Sequence, residues 1–173
     1  MTAWWRRLQP SGDSMLNRGA NRAVLARLRR ADLFDAMQDP ATFALYRDLD
    51  ARDPDDLPAI ALCAAVLAGV RDERPEHPAR TLGPPSLDAI EQALMKPLRF
   101  RRLIAADTPQ DRLTALRRAV AIADGKMNAR ELAAACLDWS EQRQRRWIFE
   151  YYGAGRAAPG ADVETEKTEE KAA

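Results

Sequence analysis

Six arginines and no lysine stand in the stretch RFRRLIAADTPQDRLTALRRAV, Arg99 to Val120, and the chemistry they offer is contact with a polyanion. A planar guanidinium pairs bidentately with phosphate and stacks on bases better than an ammonium does. Of the 27 basic residues in the chain, 23 are arginine. A GC-rich coding sequence raises arginine and alanine together, so placement rather than composition has to decide.

At about 100° per residue, Phe100, Leu103 and Ile104 share one side of a helix, with Arg101 and Arg102 flanking the opposite side and Arg99 near the edge. In QDRLTALRRAV, Leu113, Leu116 and Val120 share one side, with Arg118 opposite and Arg112 and Arg117 on the flanks. An earlier segment repeats the arrangement: Arg18, Arg22 and Arg29 fall on one flank, Arg30 opposite the apolar face and Arg27 on the other flank. A charge run is ordinarily a solvated helix face. Here few acids stand at i+4 to pair these arginines within their own helices. Bases also recur around residues 18 to 30, 99 to 102 and 117 to 118, and packing that joins those segments would build a stripe suited to a phosphate backbone. The eight aspartates between Asp32 and Asp56 could instead absorb them.

Other chemistry finds little support. No phosphate-cradling glycine loop, Cys/His metal spacing or Ser/His/Asp set is present, and the single histidine, His77, stands between prolines where a solvated loop is expected. Cys63 and Cys136 sit among alanines and leucines and read as buried free thiols. The carboxylates of DPDD adjoin a helix start, a capping use. No catalytic residue, cofactor or metal site is expected. Trp147, Ile148, Tyr151 and Tyr152 share one side of SEQRQRRWIFEYYG; core packing is the expected use of those rings and of Trp139, with base stacking beside Arg143 and Arg146 the alternative.

The elements that must position the arginines are helices, because runs of alternating β-branched residues are missing. The spacing predicts an all-α fold, either one compact multi-helix bundle or two helical halves joined by a Pro-rich linker near 75–85. A short first helix carries Trp4, Trp5 and Leu8 and breaks at Pro10 and Gly12. A second covers about 17–31, with Val24, Leu25 and Leu28 on its apolar face. Asp32 and Asp39 cap two short helices, the latter opening at Pro40. Asp55 or Asp56 caps a core helix around AIALCAAVLAGV, Ala59 to Val70, whose twelve apolar residues fall short of the roughly 20 a membrane span requires. PEHPARTLGPP is expected to be non-helical. Ser86 caps a helix over 87–94, and helices follow at 97–106, 109–123, 128–137 and 140–152, with Gly153 as a left-handed cap.

Residues 154–173 lack large apolar side chains and read as a flexible acidic tail; residues 157–173 hold five acids and two lysines. Without that tail 25 bases face 21 acids, a net of +4. The opening MTAWWRRLQPSGDS has no apolar signal region, so a cytoplasmic protein is expected.

WWRRLQ, GANRAVLARLRRA, SLDAIEQAL, RFRRLIAAD, LTALRRAV and the closing helix from Trp147 to YYG, in that order, resemble the small subunit of the type I-E CRISPR Cascade complex, the CasB family, over about residues 3–153. The resemblance implies an all-helical, non-catalytic protein, present as two copies beside other Cascade Cas proteins on a CRISPR RNA. It also implies that the pair helps hold target DNA and the displaced strand. Arg29 and Arg30 match the family's first LRR, Arg99 the base before the central Phe, and Arg117 and Arg118 the later LRR. Arg101 and Arg102 join the list from their solvent-facing angles. The acidic tail and the 75–85 segment depart from the family pattern. A reading of another class is a helical scaffold docking on acidic protein surfaces without nucleic acid; a helix-turn-helix repressor lacks a recognition segment.

Overall fold

The computed structural model describes residues 2–9 and 15–153. The break expected at Pro10 and Gly12, the Arg18 side chain and the tail from 154 onward lie outside the described residues. Helices α1 (Thr2–Leu8), α2 (Met15–Arg30), α3 (Leu33–Gln38), α4 (Pro40–Asp48) and α5 (Leu57–Leu67) come first. After α6 (Pro78–Leu82) follow α7 (Pro97–Ile104), α8 (Pro109–Ile122), α9 (Ala129–Leu137) and α10 (Glu141–Tyr151). The fold is all-α, with one small addition that the apolar pattern does not signal. Strands β1 (Asp72–Glu73) and β2 (Lys126–Met127) pair in parallel, Asp72 opposite Lys126 and Glu73 opposite Met127. No helix among the described residues is long and apolar enough to cross a membrane.

Helix α5 is apolar on every side and buried on every side, the expected fate of a helix without a polar face. Residues Ile60 to Leu67 are all buried, and α3, α4, α8 and α9 pack around them. The small side chains Ala61, Ala64, Ala65, Ala133 and Ala135 allow close helix approach at full burial. Cys63 and Cys136 are buried and free, as expected. Burial and contact with Cys63 push the Cys136 thiol well up.

Asp39 ties the N-terminal half together. It is the C-cap of α3 and the N-cap of α4, where its side chain accepts from the Ala41 amide at 2.9 Å. Arg27 donates to both its oxygens, at 2.5 and 3.0 Å. Burial alone would push this carboxyl up, but the Arg27 and Ala41 hydrogen bonds and the Arg27 charge outweigh it and hold it below the usual range. Asp32 caps α3 as expected, accepting from Asp35 at 2.8 Å. At DPDD the cap differs: Asp53 accepts from Asp55 and starts a 3-10 turn over Pro54–Asp56, while Asp56, at the head of α5, makes no side-chain cap bond. Helix α1 is fastened by its indoles. Trp4 donates to Ala41 O at 3.0 Å and Trp5 to Val70 O at 3.3 Å.

Segment 75–85 corrects two expectations. It contains α6, since Pro78 occupies a first turn, where its missing N–H breaks no helical hydrogen bond. His77 is not a solvated loop residue: it is buried, its Nδ1 accepts from the Ala79 amide at 3.2 Å, and its ring meets Trp147 edge-on at 5.5 Å. Burial lowers its pKa, outweighing Glu150 and Glu131. Ser86 stands at the start of a 3-10 turn, Leu87–Gln92, broken at Ala89, and not of a regular helix. Helix α6 lies against α10, where Arg80 meets Glu150 at 2.5 Å. Trp139, Trp147 and Tyr151 are core, as expected, with Tyr151 stacked on Phe100 at 3.8 Å and donating to Met95 O at 2.5 Å. Desolvation pushes the Tyr151 hydroxyl to about 12. Ile148, placed with these rings by angle, is instead 40% exposed. Gly153 has φ +66°, the left-handed cap expected.

Two measurements test this packing. A Cβ on Gly83 would collide with the Tyr151 carbonyl, a backbone atom that cannot step aside. Gly83→Ala should therefore destabilise the fold by about 1–3 kcal/mol in denaturant unfolding, as overpacking does; an unchanged midpoint would show the α6–α10 contact to be looser than described. His77 binds its proton less readily folded than unfolded, so its contribution is complete above the unfolded pKa of about 6.5 and disappears as pH falls below it. The thermal midpoint should drop between about pH 7 and 5, and His77→Asn, which keeps a cap acceptor, should flatten that slope.

Candidate nucleic-acid interface

The last carbonyls of α2 have no partner within the helix, and α8 supplies one. Arg117 reaches across and donates through Nη2 to Leu28 O at 2.5 Å. A cation at a helix C-terminus also meets the negative end of the helix dipole. Arg117 is half-buried; desolvation lowers its pKa and the Asp32 charge opposes this, yet a guanidinium stays charged at neutral pH. Its Nε is buried without a hydrogen-bond partner. Arg29, on the same stretch of α2, is exposed and donates from Nε to Leu25 O at 3.1 Å.

Arg29 and Arg117 thus line one notch of about 360 Å³, together with Arg71, Val120, Asp124 and Gly125. Both are anchored by carbonyl oxygens, which fix a guanidinium without cancelling its charge. Helical periodicity did not point to Arg71 and Asp124, because they sit in short loops after α5 and α8, whose neighbours it does not reveal.

The other expected residues stand elsewhere. Arg30 faces a broader groove of about 850 Å³ between α2 and α3, with Arg27, Asp35 and Asp39. Arg101 lines a depression of about 270 Å³ with Phe100, Ile104, Asp107, Ile148 and Tyr152, where α7 meets the end of α10. Arg99, Arg102 and Arg118 are exposed. The structure therefore joins Arg29 to Arg117 and gives Arg30 and Arg101 grooves of their own.

Carboxylates are assigned selectively. Arg27 goes to Asp39, Arg7 to Asp48, Arg6 to Glu73 at 3.1 Å and Arg74 to Asp72 at 2.7 Å. Arg80, Arg143 and Arg145 have partners on or beside α10, and aspartates of the 32–56 stretch absorb Arg7, Arg27 and Arg52. None of Arg29, Arg30, Arg99, Arg101, Arg102, Arg117 and Arg118 forms an ion pair with a carboxylate among the described residues. No group of three or more metal-ligating side chains occurs among them either.

Comparison with curated proteins and with solved structures returns no match. A family model, CRISPR-associated protein Cse2, matches residues 24–152, a span that contains all seven of these arginines. By that match over most of its length the chain belongs to the Cse2 family of CRISPR-associated proteins, in agreement with its resemblance to the small subunit of type I-E Cascade.

Proposed function

We propose that this protein is a non-catalytic, cytoplasmic subunit of an RNA-guided surveillance complex in antiviral defence, and that it binds nucleic-acid backbone and biases an opened target duplex against reannealing. Its partners on this reading are other Cascade Cas proteins, a CRISPR RNA, the target and displaced DNA strands, and a second copy of itself. Membership of the Cse2 family supports the setting. The observation that carries the interaction is the set of guanidiniums without carboxylate partners, two of them held in one notch by main-chain carbonyls.

The energetics ask little of each arginine. Exchanging a DNA duplex for an RNA–DNA hybrid is nearly balanced, so modest binding to the opened strands tips it. Base pairing supplies the sequence selection, and arginines on phosphates need none of their own.

Arg99, Arg101, Arg102 and Arg118 are the residues to reverse, because their side chains reach solvent and none is buried in the core. Changing the four to glutamate should leave the thermal midpoint within a few degrees and weaken binding to single-stranded DNA steeply. The slope of log K against log salt should become shallower by about 0.7 for each phosphate that is no longer neutralised. A gel shift that is absent for the unmodified chain at moderate salt would favour a scaffold docking on acidic proteins instead.

A further inference from the structure

We propose that the notch between α2, α8 and the loop after α5 is a phosphodiester site whose third guanidinium is Arg71, and that Asp124 restrains Arg71 until a phosphate displaces it. The inference rests on the nucleic-acid reading above and assigns that binding to a particular place and an added residue.

The peptide bond leading into Arg71 is held at both its polar groups. The Arg71 amide donates to Gly125 O at 2.9 Å, and the carbonyl just before it, Val70 O, accepts from the Trp5 indole at 3.3 Å and from Gln9 at 3.4 Å. Gly125 turns with φ +72°, and a Cβ there would come within 3.1 Å of Arg71 Cγ and 3.0 Å of Gly69 O. The bare glycine is the floor on which the arginine stem lies. Its guanidinium is exposed and loosely held: among the described residues its ion-pair partner is Asp124 Oδ1 at 3.9 Å, beyond hydrogen-bond reach.

Across the notch, Arg29 spends its Nε on a carbonyl and keeps both terminal nitrogens, while Arg117 spends an N–H of Nη2 and has its Nε buried, which leaves its remaining terminal N–H groups. Three arginines and one carboxylate line the notch, with the Asp32 charge acting on Arg117 from outside it, so cations outnumber acids there, and guanidinium forks match phosphate oxygens in geometry as well as charge. Asp124 is held on its other oxygen by Lys126 at 3.4 Å, so it has somewhere to stay when Arg71 turns away. With φ +52°, Asp124 stands at a position that asparagine also tolerates, and Asp124→Asn removes the charge without straining the turn.

The test measures binding of the full chain to a labelled single-stranded DNA oligonucleotide across a salt series. Arg71→Ala should weaken binding about three- to fivefold, the scale of one exposed charge pair, and make the salt slope shallower. Asp124→Asn should tighten it about twofold, and Arg71→Ala/Asp124→Asn should return to the Arg71→Ala value, since the carboxylate acts through that arginine. Wild-type affinity and slope in Arg71→Ala, or a gain from Asp124→Asn that survives without Arg71, overturns the assignment while leaving the nucleic-acid reading standing. An unmodified chain that binds at no salt concentration overturns both.

Discussion

Complete burial of α5 is the constraint on which the rest depends. A helix with apolar residues on every side must be surrounded, and α3, α4, α8 and α9 surround it. Each enclosing helix turns apolar residues inward, although α3 and α4 also leave Phe34 and Phe43 exposed. The outward display of Arg118 on α8, and the place of Arg117 at the edge of the core, follow from the inward demand of Leu113, Leu116 and Val120 for that core. With Ile60 to Leu67 all buried at about 1.5–3 kcal/mol for each large side chain, no surface charge competes with that demand.

Charge is then sorted by what anchors it. Where arginine meets a buried carboxylate, as Arg27 meets Asp39, the pair stabilises a helix junction and the charge is neutralised there. Where arginine meets a carbonyl, as Arg117 meets Leu28 O, position is fixed and the charge survives. Only the second arrangement both fixes a cation and leaves it able to attract a polyanion, and it is the one found where α2 and α8 meet. The arginines of α7 form a third class, held by the stiffness of their own helix rather than by a carboxylate.

The fold was largely legible because its signals are local. Asp32, Asp39, Asn128 and Ser140 stand at helix starts, Pro40, Pro58, Pro97 and Pro109 in first turns, and Gly153 at a left-handed end, and each of these can be read from a few neighbouring residues. What local reading misses is what distant packing decides. Four prolines made 75–85 look like open loop, yet α10 covers α6 and buries His77. Helical angle grouped Ile148 with the core aromatics, but it stays partly exposed at the rim of the depression between α7 and α10. The arginine faces could be drawn helix by helix; that Arg29 and Arg117 converge while Arg30 turns to another groove depends on how α2 crosses α8.

On the proposed function, separate grooves have a physical advantage over one ridge. An opened duplex paired to a guide presents more than one strand at once, and like-charged strands repel each other over roughly the 8–10 Å Debye length of cellular salt. A single cationic stripe would draw them together and favour reannealing. The notch of Arg29 and Arg117, the groove of Arg30 and the α7 face of Arg101 are lined by different sets of residues, so on this reading each offers phosphate a seat of its own. Rigidity makes the separation hold: α3 and α8, which wall two of these surfaces, are packed on α5, and neither can swing toward the other without opening the core.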